Sequence, residues 1–247
     1  MAYDTIVSDW NGTITKDNDE KAILETIAKD LFKASIPLHL GRAARLLNVR
    51  EELKTLYWQG SQDAEFDFAT EMFKIYNSHV INGLPISFIH RSVNRYAERK
   101  ETQYKLDRRI LRPIRSFHQA GKATGILSSG YGYGIDRILS VAGFRRCFDF
   151  RMANSFKQEG GRATEFLLKI YKNKHQLLLE TLRHRNLDEN RTVYIGNSED
   201  DEGCFDIVRY PIVAFLAADE LKERWASRYK DFVPEDERDL VNYLSSI

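Results

Sequence analysis

Asp9 has the clearest chemical opportunity in the chain. It follows Tyr3-Asp4-Thr5-Ile6-Val7-Ser8, in which Ile6 and Val7 are apolar and β-branched. Such a run predicts a short buried strand ending at about Ser8. Open α/β sheets bind ligands at the carboxyl ends of their strands, where Asp9 would stand. Gly12 then supplies the backbone freedom of a sharp turn. A carboxylate in that place can act as a nucleophile, taking up a group and splitting one hard step into two. An Asp–Gly strand exit also needs no ligand, so the remaining stretches decide.

Three of them bear on the question. Gly125-Ile126-Leu127 runs into Ser128-Ser129-Gly130. Val193-Tyr194-Ile195-Gly196 runs into Asn197-Ser198-Glu199-Asp200-Asp201. Lys174 lies in a helical segment. With Asp9-Trp10-Asn11-Gly12-Thr13, these resemble, in order, the four motifs of the haloacid dehalogenase (HAD) superfamily. Those motifs are a strand followed by Asp-x-Asp-Gly-Thr, a strand ending in Ser or Thr, a helical Lys, and Gly-Asp-x-x-x-Asp. Leu127-Ser128-Ser129-Gly130-Tyr131 and Met152-Ala153-Asn154 are similar to phosphoserine-phosphatase-like members. Two positions depart from the pattern. Asn11 and Asn197 stand where the family usually has Asp, a change that keeps shape and removes charge.

The resemblance implies a Mg²⁺-dependent hydrolase of small phosphorylated metabolites, working through an aspartyl phosphate. A phosphate ester repels nucleophiles, so its charge must be neutralised and the attacking group aligned. Asp9 is the implied nucleophile. Ser128 is expected to hold a phosphoryl oxygen, helped by the amides of Ser129 and Gly130 at the start of the next helix; Ser129 is the rival for Ser128. Lys174 is expected to bind Asp9 and the phosphoryl group, with Lys157, Lys169 and Lys172 as rivals. Mg²⁺ prefers oxygen ligands. Asp9, the Asn11 carbonyl and Asn197 are its expected ligands, with Asp201 or Asp200 acting directly or through water. Asn11 also occupies the family's acid–base position, where an amide cannot cycle a proton. Asp9-Trp10-Asn11-Gly12-Thr13 is similar too to the Asp-Trp-Ala-Gly-Thr of phosphonoacetaldehyde hydrolases, which cleave a carbon–phosphorus bond through a Schiff-base Lys; Lys33 and Lys54 are the candidates. A third reading is a phospholigand-binding protein with little turnover.

These residues need a scaffold. After Thr15 the pattern turns helical, with Ile23, Ile27 and Leu31 recurring every four residues and Pro37 predicting an end at about Ile36. Further helices are predicted at about 39–58, 64–78 and 86–105. Strand signals return at 123–127, 148–153, 192–195 and 212–216, with helical patterns at 135–142, 168–184 and 205–209 between them. Such alternation predicts a parallel sheet with right-handed crossovers. Gln158-Glu159-Gly160-Gly161 reads as a hairpin turn, and two helices are expected at 219–229 and 235–245. The expected fold is a Rossmann-like parallel α/β core, residues 1–15 and 114–247, with an all-helical cap inserted at 16–113.

Composition narrows the class. The chain has 247 residues, 43% hydrophobic and 30% charged, ordinary for a globular protein. A net charge of +1 gives no drive toward nucleic acid or membrane. Two cysteines, Cys147 and Cys204, are too few for a disulfide framework. Residues 1–20 show no basic leader with an apolar run, and no stretch of about 18 apolar residues occurs, so a cytoplasmic place is expected. Residues 91–115 carry nine Lys or Arg against three Asp or Glu, a solvated helix face or a cationic rim for phosphorylated substrates.

Overall fold

Strand β1 (Thr5–Ser8) is buried at every residue and lies in the middle of the sheet. The computed structural model describes residues 3–35, 40–63, 66–229 and 232–247. The expected helix end at Ile36–Pro37 and the expected starts at His39 and Ala64 lie outside the described residues.

The helices that follow β1 are α1 (Asp19–Ser35), α2 (Leu40–Gln62), α3 (Phe68–Tyr76), continued by a π turn at Asn77–Ile81, α4 (Ile86–Glu98), α5 (Lys100–Tyr104) and α6 (Arg108–Gln119). Then come β2 (Ala123–Tyr131), α7 (Gly132–Ala142), β3 (Phe150–Glu159), β4 (Arg162–Leu167), α8 (Lys174–His184) and β5 (Thr192–Gly196). The chain ends with α9 (Glu202–Ile207), β6 (Tyr210–Val213), α10 (Asp219–Tyr229) and α11 (Glu237–Ser246).

The strand order is β4-β3-β2-β1-β5-β6, parallel from β3 to β6. The register decides where the chemistry falls. Ser8 lies opposite Ile126 of β2 and Ile195 of β5. Asp9 and Asn197 therefore leave neighbouring strands at one end of the sheet, and Ser128 stands toward the same end of β2. Beneath them Val7, Leu127, Phe150, Leu178, Tyr194, Phe205 and Trp225 form one apolar cluster. At about 25 cal/mol per Å² of buried apolar area, such a cluster is the main force holding these strands.

The chain divides into two compact units. One comprises Met1–Asp19, Ala97–Asn154 and Leu168–Ile247; the other Glu20–Tyr96 and Ser155–Leu167. These boundaries differ from the expected ones at 15 and 113, for reasons visible in the hydrogen bonds. The helix expected at 86–105 breaks at Arg99, whose backbone is extended (φ −65°, ψ 137°). Beyond the break, Gln103 Nε2 donates to the carbonyls of Ala97 at 2.7 Å and Ile138 at 3.4 Å, tying α5 to α7. Pro113 lies inside α6 and does not end it. The second unit is not all-helical either. Its hairpin, the far half of β3 with β4, turns at Gly160-Gly161 and bonds to the helical segment through backbone pairs. Gly83 N donates to Ala163 O at 2.8 Å and Ala163 N to Leu84 O at 2.8 Å. Asn77 Oδ1 accepts from Phe166 N at 2.7 Å.

Four of the nine cations in the basic stretch are paired locally: Arg95 with Asp30, Lys105 with Asp17, Arg109 with Asp107 and Arg112 with Glu237. Among the described residues no helix is long and apolar enough to cross a membrane.

Gly125 sits against the ring of Phe150 on the neighbouring strand, and a Cβ there would lie 2.2 Å from it. G125A should cost about 1–3 kcal/mol by overpacking. The check is a double-mutant cycle with F150L, read from denaturant midpoints. Phe150→Leu should cost less in the G125A background than in the wild type. Strictly additive losses would show that no clash exists.

Candidate active site

Three charges meet at the end of β1. Lys174, the first residue of α8, places Nζ 2.9 Å from Asp9 Oδ1 and 2.9 Å from Asp201 Oδ1. Their side chains are 7%, 3% and 0% exposed. An ion triad cut off from water survives only when its remaining atoms are hydrogen-bonded. Asp201 meets that condition. Its Oδ1 also accepts from Tyr194 Oη–H at 2.7 Å. Its Oδ2 accepts from Asn197 N at 2.9 Å, Ser198 N at 3.0 Å and Ser198 Oγ at 3.1 Å.

The expectation has Asp201 acting on a metal directly or through water; here its oxygens face Lys174, Tyr194 and the loop after β5. Every oxygen of it already takes donors. It anchors the loop after β5 in a capping box and holds Lys174 in place. Gly196 makes this possible, since a Cβ there would lie 2.7 Å from the Asp201 carboxyl. Asp200 is exposed.

Electrostatics follow from the burial. Burial pushes the Asp9 carboxyl up to about 7; Asp201 adds to the rise and Lys174 opposes it. For Asp201 burial also raises, but the Lys174 charge and the donors from Lys174, Tyr194 and Asn197 N outweigh it and hold the group below the usual range. Burial alone would lower the Lys174 ammonium, yet the two carboxylates keep it well above its ordinary value. The triad therefore carries one dependable anion, Asp201, one dependable cation, Lys174, and one carboxyl poised near neutrality, Asp9.

The rival lysines separate. Lys157, Lys169 and Lys172 are exposed, and among the described lysines Lys174 reaches Asp9. Ser128 and Ser129 also separate. Ser128 is fully buried, and its Oγ accepts from Gly130 N at 2.9 Å. Ser129 is half-buried, and its carbonyl accepts from Asn154 Nδ2 at 2.6 Å. The expected helix start after Gly130 is corrected here. The strand runs on to Tyr131 with an irregular register after Ser128, and α7 opens at Gly132 with Tyr131 as its N-cap. The Gly130 amide is thus turned back on Ser128.

Asn11 is half-buried, and its Oδ1 accepts from the Asp19 amide at 3.1 Å, at the start of α1. A Cβ on Gly130 would lie 3.8 Å from Asn11 Nδ2, so the amide nitrogen borders the Ser128–Gly130 turn.

Asn197 tests whether this site suits Mg²⁺. One end of its carboxamide lies 2.8 Å from Asn11 O, 3.1 Å from Asp9 Oδ2 and 2.9 Å from Thr13 Oγ1. With nitrogen at that end, the amide donates to all three. With oxygen there, Asn197 Oδ1 lies from Asn11 O and from Asp9 Oδ2 at separations close to an octahedron's edge. For metal–oxygen bonds of about 2.1 Å that edge is about 3.0 Å. The residues therefore fit Mg²⁺ in geometry while offering a single carboxylate. Among the described residues no group of three His, Cys, Asp or Glu side chains could hold a metal. Gly12, at φ +73°, permits this approach, because a Cβ would lie 2.2 Å from the Asn197 amide.

Sequence reasoning passed over Thr13, Asp19 and Tyr194. Thr13 Oγ1 donates to Asp9 Oδ2 at 3.4 Å. Buried Asp19 accepts from Trp10 Nε1 at 2.8 Å. A tyrosine inside the otherwise aliphatic run of β5 was the available signal for Tyr194, since a buried phenol needs a partner. Asn154, quoted only as part of a motif, joins the Ser129 carbonyl to the backbone N–H and carbonyl of Ile170, ahead of Lys174.

A family model described as haloacid dehalogenase-like hydrolase matches residues 3–203. The chain belongs to that family. No curated protein gives a significant match. Solved structures share the fold at low identity. A substrate-bound phosphoserine phosphatase complex is 18% identical, with a TM-score of 0.60, over 98% of this chain and 99% of that one. A phospho-aspartyl intermediate analogue of phosphoserine phosphatase is 18% identical, with a TM-score of 0.56, over 91% of each chain. A phosphoserine phosphohydrolase-like protein from Francisella tularensis subsp. tularensis SCHU S4 is 16% identical, with a TM-score of 0.59, over 97% of this chain and 99% of that one. Within the HAD-like hydrolases, then, this member brings the four expected stretches together with amides at two of the acidic positions.

Asn197→Asp should bind Mg²⁺ at least about tenfold more tightly, because ligand charge sets affinity at such sites. Without metal the variant should melt lower than wild type, since a donor facing Asp9 is replaced by a second anion. Calorimetric titration and thermal unfolding, each with and without Mg²⁺, measure both. Unchanged affinity together with an unchanged metal-free melting point would contradict the arrangement.

Proposed function

We propose that this HAD-like hydrolase is a phosphoric monoester hydrolase, acting on small phosphorylated metabolites through an aspartyl phosphate at Asp9. The observation that supports it is the buried Lys174 shared between Asp9 and Asp201 at the carboxyl end of the central strand. In this reading the Asp9 carboxylate attacks phosphorus and the ester P–O bond breaks. Lys174 compensates the charge on Asp9 and the phosphoryl group by point-charge attraction. Ser128 Oγ donates to a phosphoryl oxygen, and Asp201 keeps Lys174 charged and aimed. Thr13 holds Asp9 to one rotamer. The nucleophilic form of Asp9 fills as pH rises through about 7. A Mg²⁺ ion, held by Asp9, the Asn11 carbonyl and Asn197, would neutralise phosphoryl charge when bound. Water then attacks the aspartyl phosphate and frees Asp9.

In this proposal the unit of Met1–Asp19, Ala97–Asn154 and Leu168–Ile247 acts as the hydrolase core, and the inserted segment as its substrate-selecting cap. The separate compactness of residues 20–96 supports a cap there, with 97–113 joining the core and the hairpin at 155–167 joining the cap. Two free, buried cysteines fit a cytoplasmic enzyme. Carbon–phosphorus cleavage is not favoured. A Schiff-base Lys is activated by desolvation or a neighbouring cation, whereas Lys33 and Lys54 are exposed and Lys54 pairs with Glu51 at 2.7 Å.

The direct test is acid-quenched mass spectrometry after incubation with small phosphate monoesters. A phosphoryl adduct on Asp9 is expected, sensitive to hydroxylamine and absent from D9N, which should also lose hydrolysis by orders of magnitude. Turnover in D9N within about tenfold of wild type would end the assignment.

Asn11 sets which esters react. An amide can give a hydrogen bond to a leaving oxygen but no proton. General acid–base help is worth about 10² to 10⁴ in rate. Alkyl phosphates, whose alkoxides leave poorly, should be slow; aryl and acyl phosphates should be fast. Asn11→Asp should raise kcat/KM mainly on alkyl esters. The same aryl-to-alkyl ratio in both proteins would mean that another group supplies the proton.

A further inference from the structure

Helices α1, α2 and α3 line a cavity of about 580 Å³ that none of the chemistry above uses. It lies wholly within the second compact unit. Its floor is apolar. Leu46, Val49, Met72 and Tyr76 are buried, with Phe32 and Leu53 half-buried above them. Its mouth is cationic. Lys29 and Lys33 stand one turn apart on α1, and Arg50 and Lys54 one turn apart on α2. All four are exposed.

This arrangement is unfavourable with nothing bound. Like charges four residues apart on a helix repel each other, and the pattern occurs on both walls. An apolar hollow leaves its lining without dispersion partners. Local acids offset little of the charge. Lys29 lies 3.8 Å from Glu25 and Lys54 2.7 Å from Glu51, both solvent-exposed pairs of the weak kind. Lys33 and Arg50 make no ion pair among the described residues. With Lys21, the lining carries five cations and one carboxylate, Glu25.

We propose that this cavity is a binding site for an amphipathic anion: an aliphatic or aromatic body in the hollow, with a carboxylate or phosphate head between Lys33 and Arg50. Its volume is that of a pocket for a small organic ligand. The apolar floor supplies affinity, and the cations relieve their mutual repulsion on the head. The Arg50 fork matches the oxygens of carboxylate and phosphate alike, so the two heads share one chemistry. None of these residues belongs to the Asp9 site, and the proposal stands whether or not the chain hydrolyses phosphate esters.

The test is calorimetric titration of the full chain with octanoate, octyl phosphate, 1-octanol and inorganic phosphate. At least one octyl anion should bind saturably, one per chain, tenfold or more tighter than octanol. Inorganic phosphate should not bind this cavity. A preference for octyl phosphate over octanoate assigns a phosphate head, and the reverse a carboxylate. The exposed charge reversal K33E/R50E should weaken the anions at least tenfold and leave octanol unchanged. Met72→Trp, which fills the floor, should weaken all the octyl ligands; should it not fold, K33E/R50E still decides. Equal binding of the octyl anions to wild type and K33E/R50E would overturn the proposal. So would failure of both anions to bind, or inorganic phosphate competing as well as octyl phosphate at a site lost in K33E/R50E.

Discussion

One ammonium group shared by two carboxylates, with almost no water in reach, constrains everything around it. Lys174 stays charged there only because Asp9 and Asp201 flank it. Asp201 stays charged because Lys174 sits against it and because Tyr194 and the loop amides satisfy the rest of its oxygens. The requirement reaches outward. It calls for a tyrosine in β5, a glycine at 196, a capping box after it, and a helix that begins with Lys174. Removing one partner of such a buried set leaves an uncompensated charge, which costs several kcal/mol. The site and the folding of this end of the sheet are therefore one electrostatic problem.

Asp9 is the member left with slack. Its two oxygens face different partners, Lys174 on one side and the Asn197 amide on the other. The neutral side chains at 11 and 197 lower the negative charge around it. A reader of charge alone would see a weakened metal site. A reader of hydrogen bonds would see a site whose oxygens can be satisfied without a cation. Both descriptions apply, because a carboxamide carries a donor and an acceptor on the same atom group.

Much of this was legible from residue types. Asp9 stood out from local pattern, where an apolar β-branched run stopped, while Ser128 and Asn197 gained their roles from the resemblance. Lys174 needed a resemblance, since nothing local separates it from Lys169 or Lys172; burial made the choice. The hydrogen bonds of Asp201 were not legible, because an acidic loop reads the same whether its carboxylates face a cation or its own backbone. Boundaries failed for a different reason. Helical periodicity runs through Arg99 without a break, and tertiary bonds, such as those from Gln103 to Ile138 O and from Lys105 to Asp17, show which unit the next turn joins. The hairpin at 155–167 was visible as a turn, but its partners lie some eighty residues earlier in the chain.

That hairpin changes how the protein must fold. The chain leaves the first unit twice and returns twice, at residues 19–20, 96–97, 154–155 and 167–168. Neither unit is a continuous fragment: the second is complete only once residue 167 is made, and the first only after 168–247 follow. The helical segment near Gly83 has to wait for residue 163 before its backbone groups are paired. Contacts of such long sequence separation slow folding, because loop-closure entropy is lost before the pairing is gained. Insertion and hairpin are bound into one cooperative event, and a truncation that spares every residue of one unit still cuts the other.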